Sequence, residues 1–115
     1  MRNSLDYLLD LKQEAEAVEK FTSDGKAAFM TDERNQYAVM MAYARIGEIV
    51  KRIPDDILQL QPHIEWREIK GFRDILLHRY FDVNVERVWE AVEKLPSLLT
   101  AINGLIDTYS EEDDL

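Results

Sequence analysis

Cysteine is absent from the 115-residue chain, which removes disulfides, thiolate metal sites and cysteine nucleophiles together. The absence agrees with a reducing compartment. Histidine is nearly as scarce, and His63 and His78 alone are too few for a histidine-based metal cluster. Glycine totals four residues and forms neither a phosphate loop nor a dinucleotide fingerprint, so nucleotide binding through those motifs is excluded. No apolar run approaches the roughly 20 residues of a membrane span, and Met1-Arg2-Asn3-Ser4 leads directly into a charged amphipathic pattern. The protein is therefore expected to be soluble and, in a prokaryote, cytoplasmic. Nothing alternates with a period of two over a useful length, and hairpin signals, internal repeats, low-complexity tracts and long heptad runs are all missing.

What remains is helical. The length suits one domain that buries roughly 65% of its unfolded surface. Asn3 or Ser4 can cap a first helix over 3–22, with Leu5, Leu8, Leu11, Ala15 and Val18 at three- and four-residue steps and Leu9 widening the stripe. Ser23-Asp24-Gly25 is a turn, and 26–30 is a connector with a helical turn of its own. A second, longer helix starts at Thr31 or Asp32, carries Tyr37, Met40, Met41, Ala44, Gly47 and Val50 inward, and stops at Pro54. Gly47 in mid-helix costs about 1 kcal/mol against alanine, so close helix packing is the reason expected for it. Residues 55–62 form a connector. Trp66 opens a third helix whose Ile69, Phe72, Ile75, Leu76 and Leu77 face the core, and which ends near Tyr80. Asn84 caps a fourth, with Val85, Val88, Trp89, Val92, Leu95, Leu99, Ile102 and Ile106, kinked or split at Pro96. Four amphipathic helices with short connections predict an all-α, antiparallel up-and-down four-helix bundle. Past Pro96 the apolar residues Leu98, Leu99, Ile102, Leu105 and Ile106 outnumber one face's needs, so some are expected at an interface.

The net charge of −9 argues against nonspecific coating of nucleic acid. Its distribution tempers that. From Val88 onward there is one basic residue, Lys94, against seven acids, whereas 45–87 holds eight of each sign. A local positive cleft on an acidic body is compatible with that balance, as are plain solvated helix faces. Asp55-Asp56 reads as a helix-start charge pair, and Glu111 to Asp114 as a solvated, frayed tail rather than a metal site.

The chemistry concentrates in Gly71-Phe72-Arg73-Asp74-Ile75-Leu76-Leu77-His78-Arg79-Tyr80. An imidazole can take a proton from a hydroxyl near neutral pH, and a guanidinium can hold phosphate oxygens and stabilise the charge that grows on them. Together they suit cleavage of RNA by its own 2′-hydroxyl without a metal or cofactor: His78 as general base or acid, Arg73 as phosphate clamp, Asp74 orienting the ring. At about 100° per residue, Asp74 and His78 stand roughly 40° apart, but Arg73 and His78 about 140°. Either the helix loosens near His78 or the arginine reaches round the flank. Against this stands a plainer account, in which Arg73 and Asp74 form surface ion pairs, His78 is a helix-end group and Tyr80 packs with Leu77, Phe81 and Trp89. His63 reads as a connector residue.

The residues Trp66-Arg67-Glu68-Ile69, Gly71-Phe72-Arg73-Asp74, His78-Arg79-Tyr80-Phe81-Asp82-Val83-Asn84 and Val88-Trp89 resemble the HepT-like branch of the HEPN superfamily. Its signature is an arginine followed by a polar residue, a histidine after four intervening residues, and a tyrosine two further on. Ile46-Gly47-Glu48 and Leu95-Pro96 also sit where that family has them. The resemblance implies a single HEPN-like helical domain over 1–115 that homodimerises, with the arginine–histidine motifs lining a cleft between the two copies. It implies a toxin of a prokaryotic toxin–antitoxin pair, a metal-independent endoribonuclease with Arg73 and His78 catalytic and Asp74 in the supporting polar position. It further implies that a minimal nucleotidyltransferase antitoxin adds AMP units to Tyr80 and silences the toxin by bulk and negative charge. Lys70 and Arg79 are further candidates for phosphate contact. Asp74 departs from the commoner asparagine, and Glu65 stands where proline is frequent. The competing class is a noncatalytic helical partner that positions a nucleotide or substrate for a nucleotidyltransferase, and a third is a purely structural dimer.

Overall fold

The structure is a computed structural model that describes residues 2–113, with side chains described as far as Ser110. Helix α1 (Ser4–Phe21) starts where its sequence provides a cap: Asn3 Oδ1 accepts from the Asp6 N–H at 2.9 Å, and Asp6 returns the bond to the Asn3 N–H at 3.0 Å. Gly25, at φ +91°, turns the chain into the short α2 (Lys26–Thr31), a conformation that only glycine adopts without strain. Asp32 caps α3 (Glu33–Arg52), and Pro54 precedes a single turn, α4 (Asp55–Leu58). The Trp66 indole N–H donates to the carbonyls of Leu58 and Gln61 at 2.9 and 3.1 Å, which fixes the entry into α5 (Trp66–His78). A 3-10 turn over Tyr80–Asp82 leads to Asn84, the cap of α6 (Val85–Glu93). Helix α7 (Leu95–Asp113) follows after Lys94, and Pro96 lies in its first turn, where a missing N–H leaves no bond unmade. The expected break at Pro96 is a full split.

Among the described residues every regular element is helical. Helix α3 packs against α1 on one side and α5 on the other, α7 closes on α1, and α6 bridges α2, α3 and α7. The core they enclose includes Leu8, Leu11, Val39, Ile46, Val50, Trp66, Leu76, Val88, Ile102 and Leu105. This is the expected helical bundle, with its fourth helix in two pieces.

Several inward assignments are corrected. Tyr37 and Met41 are 63% and 60% exposed. The core stripe of α3 runs through Val39, Tyr43, Ile46 and Val50, and Met41 and Tyr37, five and nine residues before Ile46, lie about 140° and 180° round the helix from it. Leu77 is exposed for the same reason, one position off the line of Ile69, Phe72 and Leu76, and Leu9 is exposed as well. The surplus expected on α7 is absorbed within the chain: Leu98, Ile102 and Leu105 are buried, and Leu99 and Ile106 pack against the core. The acidic tail expected at 111–114 lies outside the described side chains.

Candidate active site

Gly47 determines how near α5 comes to α3. A Cβ added there would stand 2.2 Å from Arg73 Cβ and 2.9 Å from its Cγ, so only glycine lets the arginine stem lie flat against α3. This is the packing role expected for Gly47. Arg73 is consequently mostly buried, with 19% of its side chain exposed, and its guanidinium emerges beside Glu48, the residue after the glycine. Arg73 NH2 approaches Glu48 Oε2 at 2.8 Å, close enough for an ion pair although not aligned as a hydrogen bond, and Nε is buried without a partner. NH1 donates to Asp74 Oδ1 at 2.8 Å. The hydrogen bond from Arg73 holds the Asp74 carboxyl below its usual range, with Lys51, Arg73 and His78 adding favourable charge against some desolvation. The same bond to Asp74 raises the arginine's pKa, so the pair stays fully ionised at neutral pH.

Helix α5 remains regular to His78 and stops there, two residues before the end expected at Tyr80. The helix therefore does not loosen to bring His78 round, and the arginine extends to Glu48 of α3 and to the neighbouring Asp74. By bonding to Asp74 the guanidinium is drawn toward the face on which His78 stands about 40° away, one turn along. Asp74 accepts its hydrogen bond from Arg73 and meets His78 through charge alone. The side chains of His78 and Tyr80 are exposed, and among the described residues neither side chain makes a hydrogen bond; the Tyr80 ring centroid lies 4.2 Å from that of Phe81. Lys70 and Arg79 are engaged in exposed pairs with Asp55 and Asp82, each at 3.5 Å.

Two features escaped sequence reasoning. Glu48 is a member of the site, since it meets Arg73 and also accepts from Arg52 NH2 at 3.1 Å. The signal was its place after a mid-helix glycine. The second is an apolar border: Met41 and Tyr37 lie seven and eleven residues before Glu48, within about 20° of it on α3, while Leu77, Tyr80 and Phe81 are exposed at the end of α5. A groove of about 770 Å³ does run along α5, between it and α6 and α7, over Tyr43, Phe72 and Leu98, but neither Arg73 nor His78 lines it. His78 and Tyr80 stand on an open face, and Arg73 lies mostly buried against α3.

The family model described as ribonuclease HepT-like matches residues 11–105, a span that contains Glu48, Arg73, His78 and Tyr80. The chain belongs to the HepT-like ribonuclease family. A relative named "Probable ribonuclease HepT", from Thermococcus cleftensis, is 42% identical over 99 residues, covering 84% of this chain and 90% of its own. A Methanocaldococcus jannaschii protein named "Putative RNase MJ0127" is 32% identical over 110 residues, covering 94% of this chain and 91% of its own. Another, "Putative RNase TTE0752" of Caldanaerobacter subterraneus, is 33% identical over 108 residues, covering 92% of this chain and 96% of its own. No solved structure gives a significant match. Membership of this ribonuclease family supports an RNA substrate.

Proposed function

We propose that this chain, as one HEPN-like domain over 1–115, is the toxin of a prokaryotic toxin–antitoxin pair and a metal-independent endoribonuclease. The observation that carries the reading is the guanidinium of Arg73, drawn by Asp74 to the side of α5 on which His78 is exposed and bordered by unburied apolar residues. Such a face becomes a cleft when a second copy covers the apolar border, and a homodimer then brings two Arg73–His78 pairs together.

In that cleft His78 takes the proton of an RNA 2′-hydroxyl. The 2′-oxygen bonds to the adjacent phosphorus, the bond from phosphorus to the 5′-oxygen breaks, and a protonated His78 of the second copy supplies the leaving oxygen with its proton. Arg73 stabilises the charge on the phosphoryl oxygens. The products are a 2′,3′-cyclic phosphate and a 5′-hydroxyl, and the balance needs neither metal nor cofactor. Tyr80, exposed beside this face, is the site at which a minimal nucleotidyltransferase antitoxin transfers AMP from ATP: the tyrosine oxygen bonds to the α-phosphorus and pyrophosphate leaves. The added phosphate repels RNA where its backbone lies. No helix among the described residues is long and apolar enough to cross a membrane, in keeping with a cytoplasmic site of action.

The noncatalytic reading, a nucleotide- or substrate-positioning partner of a nucleotidyltransferase, is favoured by one observation: Arg73 is already shared between two carboxylates. Intact mass separates the two. The chain co-expressed with a neighbouring nucleotidyltransferase should gain mass in whole AMP units, Tyr80→Phe should gain none, and the unmodified chain alone should arrest growth. Copurification of the two proteins without added mass or arrest would favour the noncatalytic partner.

A further inference from the structure

The three guanidinium nitrogens of Arg73 have unlike surroundings. NH2 faces Glu48 at 2.8 Å, NH1 donates to Asp74 at 2.8 Å, and Nε is buried without a partner. The two carboxylates are also held unequally. Glu48 belongs to another helix, and its second oxygen is tied to Arg52 at 3.1 Å. Displacing it would break two contacts at once. Asp74 is the next residue in the chain, its side chain is 58% exposed against 40% for Glu48, and among the described residues Arg73 is its one side-chain hydrogen-bond partner. A guanidinium accepts carboxylate and phosphate in the same planar geometry, so an RNA phosphate and a carboxylate compete for the same donors.

We propose that Glu48 is the positioning residue that holds Arg73, and that Asp74 is a built-in substitute for phosphate, displaced from NH1 when RNA binds. The inference rests on the reading of Arg73 as the phosphate ligand. Gly47 is part of the device, because the stem of Arg73 lies against it and sets the level at which the guanidinium meets Glu48. At rest one cation faces two anions, which disfavours a phosphodiester. Once Asp74 swings out, Glu48 keeps the fork oriented and NH1 becomes available. Arg73 is thus pre-aimed rather than free, and the affinity for RNA is lower than a bare arginine would give. Asp74 does not lose its charge near neutral pH, since the same arginine keeps its carboxyl below the usual range. Displacement by phosphate, not protonation, opens the site.

The test measures binding of a fluorescent, noncleavable 2′-O-methyl oligoribonucleotide by anisotropy, with thermal melts to verify folding of each variant. Asp74→Asn should tighten binding by about 3- to 10-fold, whereas Asp107→Asn, which removes one charge from the exposed side of α7, should change it by less than about twofold. In the Arg73→Ala background the Asp74→Asn gain should vanish, a double-mutant cycle that ties it to the guanidinium. It should also vanish in Glu48→Ala, where the fork is no longer aimed. A gain no larger than that of Asp107→Asn, or one that survives in Arg73→Ala, overturns the role given to Asp74. A gain that survives in Glu48→Ala overturns the role given to Glu48. If Arg73→Ala alone binds the oligonucleotide as tightly as the wild type, the reading of Arg73 as phosphate ligand fails first, whatever Asp74 does.

Discussion

At Gly47 an added methyl group has two opposed effects. Alanine raises helix propensity by about 1 kcal/mol, but its Cβ would fall 2.2 Å from Arg73 Cβ, an atom fixed by the α5 backbone rather than the end of a flexible chain. Overpacking of that kind costs about 1–3 kcal/mol, so Gly47→Ala should lower stability by about 1 kcal/mol in urea denaturation and displace Arg73; a more stable variant would contradict the packing described. Tyr43 gives a second prediction. Its hydroxyl is buried without a hydrogen-bond partner, and burial raises its pKa above the usual 10.0. Above pH 10 the unfolded chain releases this proton while the folded chain keeps it, so the stability of the wild type falls as the pH rises past that point. Tyr43→Phe should therefore leave stability at pH 7 unchanged or raise it by up to about 1 kcal/mol, and the alkaline decline should be shallower by the Tyr43 contribution. A loss above that at pH 7 would show that the hydroxyl has a partner. Arg73, His78 and Tyr80 stand out in the sequence as candidates because their residue types can carry the proposed chemistry. Glu48 was not, because an ion pair between two helices depends on their register, and no local pattern specifies which acid on α3 will stand opposite an arginine on α5.

The helices were legible at their ends. Asn3, Asp32 and Asn84 cap where side-chain oxygens can accept from orphan N–H groups, and Pro54 and Pro96 stop or divide the chain for want of a donor. Asn84→Ala, which removes the bond at 2.8 Å to the Glu86 N–H, should cost about 1 kcal/mol and leave the Arg73 ion pairs in place. Denaturation together with oligonucleotide binding checks both parts, and lost affinity at unchanged stability would contradict this separation. Faces were harder to assign than ends. An α3 stripe through Tyr37 and Met41 has the same three- and four-residue spacing as the true one through Val39, Tyr43 and Ile46. Periodicity measures the spacing of apolar residues but not which of two stripes turns inward. The length of α5 was missed by two residues for a related reason, since Arg79 and Tyr80 continue the pattern while the backbone already passes into a 3-10 turn.

For the whole molecule, the exposed apolar residues lie in a meaningful place. Phe81 is 87% exposed, and Tyr37 and Met41 on α3 and Leu77 and Tyr80 around the end of α5 are exposed with it. The proposed homodimer would associate through these residues and close the face into a cleft. Met41→Glu with Phe81→Glu should shift sedimentation from dimer to monomer at micromolar concentration and abolish RNA cleavage while the helical signal persists; a monomeric variant that cleaves normally would show that one chain suffices. The net charge of −9 makes the account sensitive to where cations sit, since RNA must approach a body that repels it except near Arg73, Lys51 and Arg52. Raising salt should therefore weaken binding less steeply than for a basic nuclease. The most direct measurement is cleavage of a single-stranded RNA by the purified wild type and by His78→Ala, both in EDTA, with the product ends identified. The account predicts that the wild type cuts and leaves 2′,3′-cyclic phosphates, and that His78→Ala remains folded but is at least about 100-fold slower. Cleavage by His78→Ala at the wild-type rate, or none by a folded, unmodified wild type, would contradict it.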